Sequence, residues 1–142
     1  MSWLNLAFLT LLFYGVFDLF VKLASGKIHD GLGGFVINLV ATMVLALFLL
    51  YSSINGEKIN YFKTDGLIYA IIAGILVGFA SIFFIKMFSA GADLSLGTPL
   101  VRVGTVLVSA LIGVIFLKEG FNPKFLMGFL LSMSGIYLLV TS

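Results

Sequence analysis

Apolar residues in this chain gather into long blocks separated by short polar stretches. Crossing the hydrocarbon of a bilayer takes about 20 mostly apolar residues in a helix, and the blocks have that size. The first runs from Leu4 to about Ala24 and is stopped by Ser25 and Gly26, with Lys27, His29, Asp30 and Gly31 beyond. The second covers about Gly34 to Tyr51, and a polar connection from Ser52 to Asp65 follows it. The third covers Gly66 to about Met87, and the last about Pro123 to Val140. No basic run precedes the first block and no small-residue cleavage pattern follows it, so it reads as an anchor that stays in place.

The remaining block is shorter. Its uninterrupted apolar stretch, Val103 to Leu117, has 15 residues and falls short of a crossing. Extended back through Arg102 and Pro99 to Asp93 it has 25. Asp is a good N-cap residue, and a Pro in the second turn loses a hydrogen bond that the helix can absorb. This reading places a guanidinium inside the membrane. The pattern therefore predicts five spanning helices, about 4–24, 34–51, 66–87, 93–117 and 123–140, in an all-α integral membrane protein.

Composition agrees. Of the 142 residues 61% are hydrophobic and 10% charged, and the mean hydropathy is +1.22. Soluble domains are about 45–50% apolar and about 25% charged. Too few polar side chains exist to coat a water-facing globule, which excludes a soluble enzyme, a basic nucleic-acid binder and a disordered tail. A net charge of +2 argues for no acidic partner. With no Cys there is no disulfide, thiolate metal site or Cys nucleophile. The sequence also lacks a phosphate-binding Gly loop, paired metal-spaced His residues and a nucleophile elbow. No enzyme, cofactor or metal is expected.

Small residues recur at helical spacing: Gly66, Ala70, Gly74 and Gly78 in the third block, Thr105, Ser109 and Gly113 in the fourth, Gly128 and Ser132 in the fifth. In lipid, close backbone approach at such ridges supplies much of helix association. Packing within one bundle is the favoured reading, and an oligomer seam the other. Five crossings put the termini on opposite sides. The even connections carry Lys58, Lys63, Lys118 and Lys124, the odd ones Lys22, Lys27 and Lys86. A margin of one Lys under the positive-inside rule fits equally a fixed orientation with the N-terminus inside and insertion in both orientations.

Ionisable groups inside spans are costly and mark cavities or pathways. Asp18 lies about four residues past the centre of the first helix, roughly 6 Å from the midplane at 1.5 Å per residue. Thr10, Tyr14, Asp18 and Lys22 recur every four residues as a polar stripe. An Asp18–Lys22 pair neutralised near the interface is favoured; a proton- or substrate-linked carboxylate, with Tyr14 as an aromatic wall, is the alternative. Arg102 sits near half depth, too deep to reach water easily. Thr105, Ser109 and Gly113 follow it on the same face, and a fixed cation beside two hydroxyls suits a carboxylate or phosphate on a substrate. An ion pair with Asp18, of the same or a neighbouring copy, is the competing role. Asn38, Thr42 and Ser81 are read as inter-helix hydrogen bonders, with Asn38 also a candidate substrate contact. Lys86 is expected to anchor at the interface, and His29 to be a surface loop residue. Trp3, Tyr51, Tyr61 and Tyr137 suit the aromatic belts.

The last third carries a more specific pattern. Pro99-Leu100-Val101-Arg102-Val103 opens a helix ending in Leu117-Lys118-Glu119-Gly120, with Pro123, Gly128 and Gly135 four, nine and sixteen residues after the Glu. This resembles the EamA domain of the drug/metabolite transporter superfamily. The stretch Tyr14-Gly15-Val16-Phe17-Asp18-Leu19-Phe20-Val21-Lys22-Leu23-Ala24 is similar to that family's first helix. The matching stretches cover about half the chain, and five helices correspond to one whole repeat. In the family a Glu such as Glu119 ends a helix, which implies a capping or hinge role. Arg102 stands where the family more usually has Pro or a small residue.

Typical members have two such repeats, the second inverted. The resemblance therefore implies that a working carrier pairs two copies, or one copy with a similar half-size protein, and that an antiparallel pair recreates the inverted arrangement, a recurring basis of alternating access. The near-balanced lysines permit this. The function implied is secondary transport of a small organic metabolite or drug across a bacterial or archaeal cytoplasmic membrane, around a cavity lined by Tyr14, Asp18, Asn38, Arg102, Thr105 and Ser109. A small multidrug-resistance-like antiporter, exchanging protons for a cationic drug at Asp18, is a rival; five helices and Arg102 weigh against it. A non-transporting scaffold or regulatory subunit is the third reading and leaves the polar face at half depth unexplained.

Overall fold

A computed structural model describes residues 2–56, 63–120 and 122–141. All regular structure among them is helical: α1 Trp3–Ala24, α2 Asp30–Ile54, α3 Thr64–Ser89, α4 Leu94–Phe116 and α5 Pro123–Thr141. Each helix is long and apolar enough to cross a membrane. In lipid only a helix or a closed barrel satisfies every backbone group, so the apolar blocks have no cheaper conformation. Lys58 and Tyr61, read above as a lysine of an even connection and a belt aromatic, lie outside the described residues.

The helices outrun their apolar blocks where a polar residue caps them. Helix α2 starts at Asp30, earlier than the apolar run at Gly34, because the His29 Nδ1 accepts the Gly31 N–H at 3.2 Å. Helix α1 is capped by Ser2, whose Oγ accepts the Asn5 N–H at 3.4 Å. Pro123 opens α5, and Asn122 caps it by accepting the Phe125 N–H at 2.8 Å. Asp93 stands at the N-cap of α4, but its side chain makes no capping bond; its carbonyl accepts the N–H groups of Gly97 at 2.8 Å and Leu96 at 3.2 Å. Pro99 lies inside α4, which continues through it.

The chain divides into two compact units, Met1–Ala90 and Gly91–Ser142. In the first, α2 and α1 both pack on α3. Among its described residues the buried apolar side chains are Val21, Ile85 and Phe88, and Gly33 and Gly34 are buried with them. A Cβ at Gly33 would lie 3.2 Å from Ile28 Cδ1 and 3.4 Å from Ile85 Cδ1, so glycine is what lets these side chains close over α2. All of this sits where α1 and α3 end and α2 begins. Towards the other end, residues 2–16 and 39–51 and the α3 residues up to 77 are exposed, with Ser52 buried beyond them.

The second unit is the hairpin α4–α5. An apolar cavity of about 230 Å³ lies between the two helices, lined by Ala110, Leu111, Val114, Phe125, Leu126 and Phe129. The α4 end is shaped by Gly113, whose carbonyl accepts the N–H groups of Leu117 at 3.2 Å and Glu119 at 3.1 Å. The Glu119 carboxylate folds back over Gly113, with Oε2 2.5 Å from where a Cβ would stand. Lys118 makes this turn at φ +54°, a left-handed value that a side chain disfavours. Glu119 thus closes the helix end through both backbone and side chain.

One expectation fails. A Cβ at Gly66, Gly74 or Gly78 would meet nothing within 4 Å, and the same holds at Gly128. The α3 ridge is not filled by a neighbouring helix. Helix α3 uses its other end and Ser81, Ile82, Ile85 and Phe88 for its contacts instead.

Candidate functional site

The polar stripe of α1 divides along its length. The Thr10 hydroxyl donates to the Leu6 carbonyl at 2.8 Å, returning its proton to its own helix. Tyr14 is 50% exposed, edge-on to Phe17 with ring centroids 6.1 Å apart. Asp18, one turn on, is 2% exposed. A carboxylate withdrawn this far is costly unless ion-paired, hydrogen-bonded, or reached by water or cargo. The next turn brings Lys22, half-buried, whose ammonium lies 5.4 Å from the centroid of the Phe88 ring of α3. The ring's negative face attracts the cation, by about 0.5–2 kcal/mol depending on desolvation. Phe88 is in turn edge-on to Phe84, with centroids 5.0 Å apart.

The structure brings Asn38 and Ser81 together. The Asn38 amide donates to Ser81 Oγ across to α3 at 3.2 Å and to the Gly34 carbonyl at 2.8 Å. Ser81 donates to the Val77 carbonyl at 2.8 Å. Thr42 is not part of this bridge: its hydroxyl donates at 2.8 Å to the Asn38 carbonyl on its own helix. Inter-helix bonding thus holds for Asn38 and Ser81, and Asn38 has a structural task whatever else it meets.

In the second unit Arg102 is half-buried, and Thr105 and Ser109 are exposed. The Thr105 hydroxyl donates to the Val101 carbonyl at 2.7 Å. Its proton is committed, so towards any ligand this hydroxyl offers lone pairs. The pairing of a guanidinium with two hydroxyl donors, expected for an anion, is therefore altered at Thr105. The six candidate residues fall three in each unit: Tyr14, Asp18 and Asn38 in the first, Arg102, Thr105 and Ser109 in the second. Among the described residues no three His, Cys, Asp or Glu side chains form a group able to hold a metal ion.

Ser89 was not singled out by the sequence. Its hydroxyl accepts the Gly26 N–H at 3.2 Å and donates to Asp30 Oδ1 at 2.6 Å. No local pattern announces it, because its partners lie 63 and 59 residues away. The cap Asn122 was readable, since Asn-Pro is a standard helix opening; His29, expected as a surface loop residue, is exposed and also caps α2.

No curated protein and no solved structure matches the chain. The family described as the EamA-like transporter family matches over residues 1–141. Five helices able to span a membrane and a match over essentially the whole length make this a multi-pass integral membrane protein, and the chain belongs to the EamA-like transporter family.

Proposed function

We propose that the protein is a half-size secondary carrier that moves a small organic metabolite or drug across a bacterial or archaeal cytoplasmic membrane by alternating access. The observation that carries this reading is Asp18, the one acid of the 22-residue span α1, which is 2% exposed. Ionisable groups withdrawn inside a span commonly mark substrate or ion routes. Tyr14 and Asn38 in the first unit, and Arg102, Thr105 and Ser109 in the second, are the other side chains proposed to meet cargo. Two copies, or one copy with a similar half-size protein, make the working carrier. The open Gly66–Gly74–Gly78 ridge supports such pairing, since it leaves a face where another backbone can approach closely. The nearly even lysine distribution leaves an antiparallel pair available.

Flux into proteoliposomes tests the reading. Asp18→Asn and Arg102→Ala, each compared at equal amounts of folded protein, are expected to lower flux about tenfold or more, the loss that about 1.4 kcal/mol of transition-state interaction brings. Wild-type flux in both variants overturns the assignment. Because the chain has no Cys, single cysteines at Lys27 and Lys63 report orientation: labelling of each site from both faces means dual insertion, and from one face a fixed orientation.

A further inference from the structure

We propose that the first unit carries a releasable gate at the end where α1 and α3 finish and α2 begins, and that Ser89 is its latch. The gate rests on the carrier reading and adds to it which end of the α1–α3 unit is shut and what shuts it.

Three contacts close this end. The Ser89 hydroxyl, on the last residue of α3, takes the Gly26 N–H and gives its own proton to Asp30 Oδ1, at 3.2 and 2.6 Å. One side chain thus ties the turn after α1 and the first turn of α2 to α3. One residue earlier, Phe88 holds the Lys22 ammonium of α1 over its ring at 5.4 Å. Beneath them Ile28 and Ile85 meet over Gly33. Ser81, bonded to Asn38, lies eight residues before Ser89, or roughly 12 Å further in at 1.5 Å per residue. In the opposite half residues 2–16, 39–51 and 64–77 are exposed, with Ser52 buried beyond them.

These ties can open without unravelling a helix. Helix α3 is finished by its own backbone, the Ala90 N–H donating to the Lys86 carbonyl at 2.8 Å. Helix α1 is finished the same way by the Ser25 N–H on the Val21 carbonyl at 3.0 Å, and by the Ser25 hydroxyl on the Lys22 carbonyl at 2.7 Å. The bonds through Ser89 are additional to these caps. They join elements rather than complete them, and they are exposed, so water can replace each partner. Closure here is an exchangeable bridge made at the water edge over a small apolar plug, and that combination suits a gate.

The test is thiol accessibility behind the latch. Ile85 is 3% exposed, so Ile85→Cys is expected to react slowly with a membrane-impermeant maleimide added from the face where Lys27→Cys reacts. Adding Ser89→Ala is expected to raise that rate about tenfold, the factor that about 1.4 kcal/mol produces. Ser89→Thr, which keeps the hydroxyl, is expected to restore slow labelling, and helicity and elution volume check that the variants remain folded. An Ile85→Cys rate that neither Ser89→Ala nor Ser89→Thr changes overturns the latch, as does a rise of the same size with both substitutions. Labelling needs no cargo, so the two readings fail separately. Faster labelling without flux in any variant removes the carrier and keeps the latch; flux with unchanged labelling removes the latch alone.

Discussion

The two units solve the same problem of holding helices together in lipid by different means. In α1–α3, polar side chains reach across: Asn38 to Ser81, and Ser89 to both Gly26 and Asp30. In α4–α5 the hydroxyls of Thr105, Ser132, Ser134 and Thr141 each return to a carbonyl of their own helix, while apolar side chains of the two helices surround a cavity. Lipid gives helices little hydrophobic reason to associate. A hydroxyl that bonds its own backbone is a quiet passenger, and one that crosses to a neighbour does assembly. In the first unit Thr10 and Thr42 are passengers as well, so it is the crossing bonds of Asn38 and Ser89 that set it apart.

The largest expected effect comes from steric closure. Gly33→Leu places a side chain against Ile28 and Ile85, where even a Cβ is tight, and is expected to cost about 1–3 kcal/mol, read as loss of folded protein in a detergent-denaturation series. Gly74→Leu, facing open space, is expected to leave the midpoint unchanged. Equal losses would mean that the α3 ridge is packed after all. A smaller change of opposite sign is expected at the hairpin turn. Lys118→Gly relieves the left-handed residue at φ +54° and should stabilise the second unit by about 1 kcal/mol, with Lys118→Ala giving no such gain. Smallest is the crossing bond: Asn38→Leu is expected to cost about 0.6 kcal/mol and at most about 1.7, whereas Thr105→Val should cost less. If Thr105→Val proves the more damaging, the contrast between crossing and returning hydroxyls is wrong.

Much of the fold was legible because the bilayer sets a length. Four crossings follow from block sizes alone, and α4 was recovered by accepting Arg102 and Pro99 inside it. Helix ends were less legible: hydropathy marks where lipid stops, whereas His29 and Asn122 mark where the helix stops. The ridge Gly66–Gly78 misled, since spacing shows that a face is smooth and not what lies against it. Asp18 stood out as an acid in an oily span, and its burial agrees with that prominence. The Thr105 hydroxyl did not declare its direction, because helix periodicity assigns a face and leaves the rotor free. Ser89 was invisible, since only folding brings it to Gly26 and Asp30.

Pro99 deprives the Ser95 carbonyl of its usual backbone donor, and next to it the Thr98 hydroxyl is buried without a hydrogen-bond partner among the described residues. This is the point along α4 where the backbone ladder is already interrupted, and it lies one turn before Arg102. From Pro99 to Phe116 the rod extends 17 residues, about 26 Å at 1.5 Å per residue. A 20° change of bend at the proline, the size of an ordinary kink, would swing the far tip sideways by about 9 Å while the backbone at Arg102, about 4.5 Å along the axis from the pivot, would travel only about 1.5 Å. Any bending at Pro99 would therefore leave the base of Arg102 almost in place and give its large stroke to the Glu119 turn.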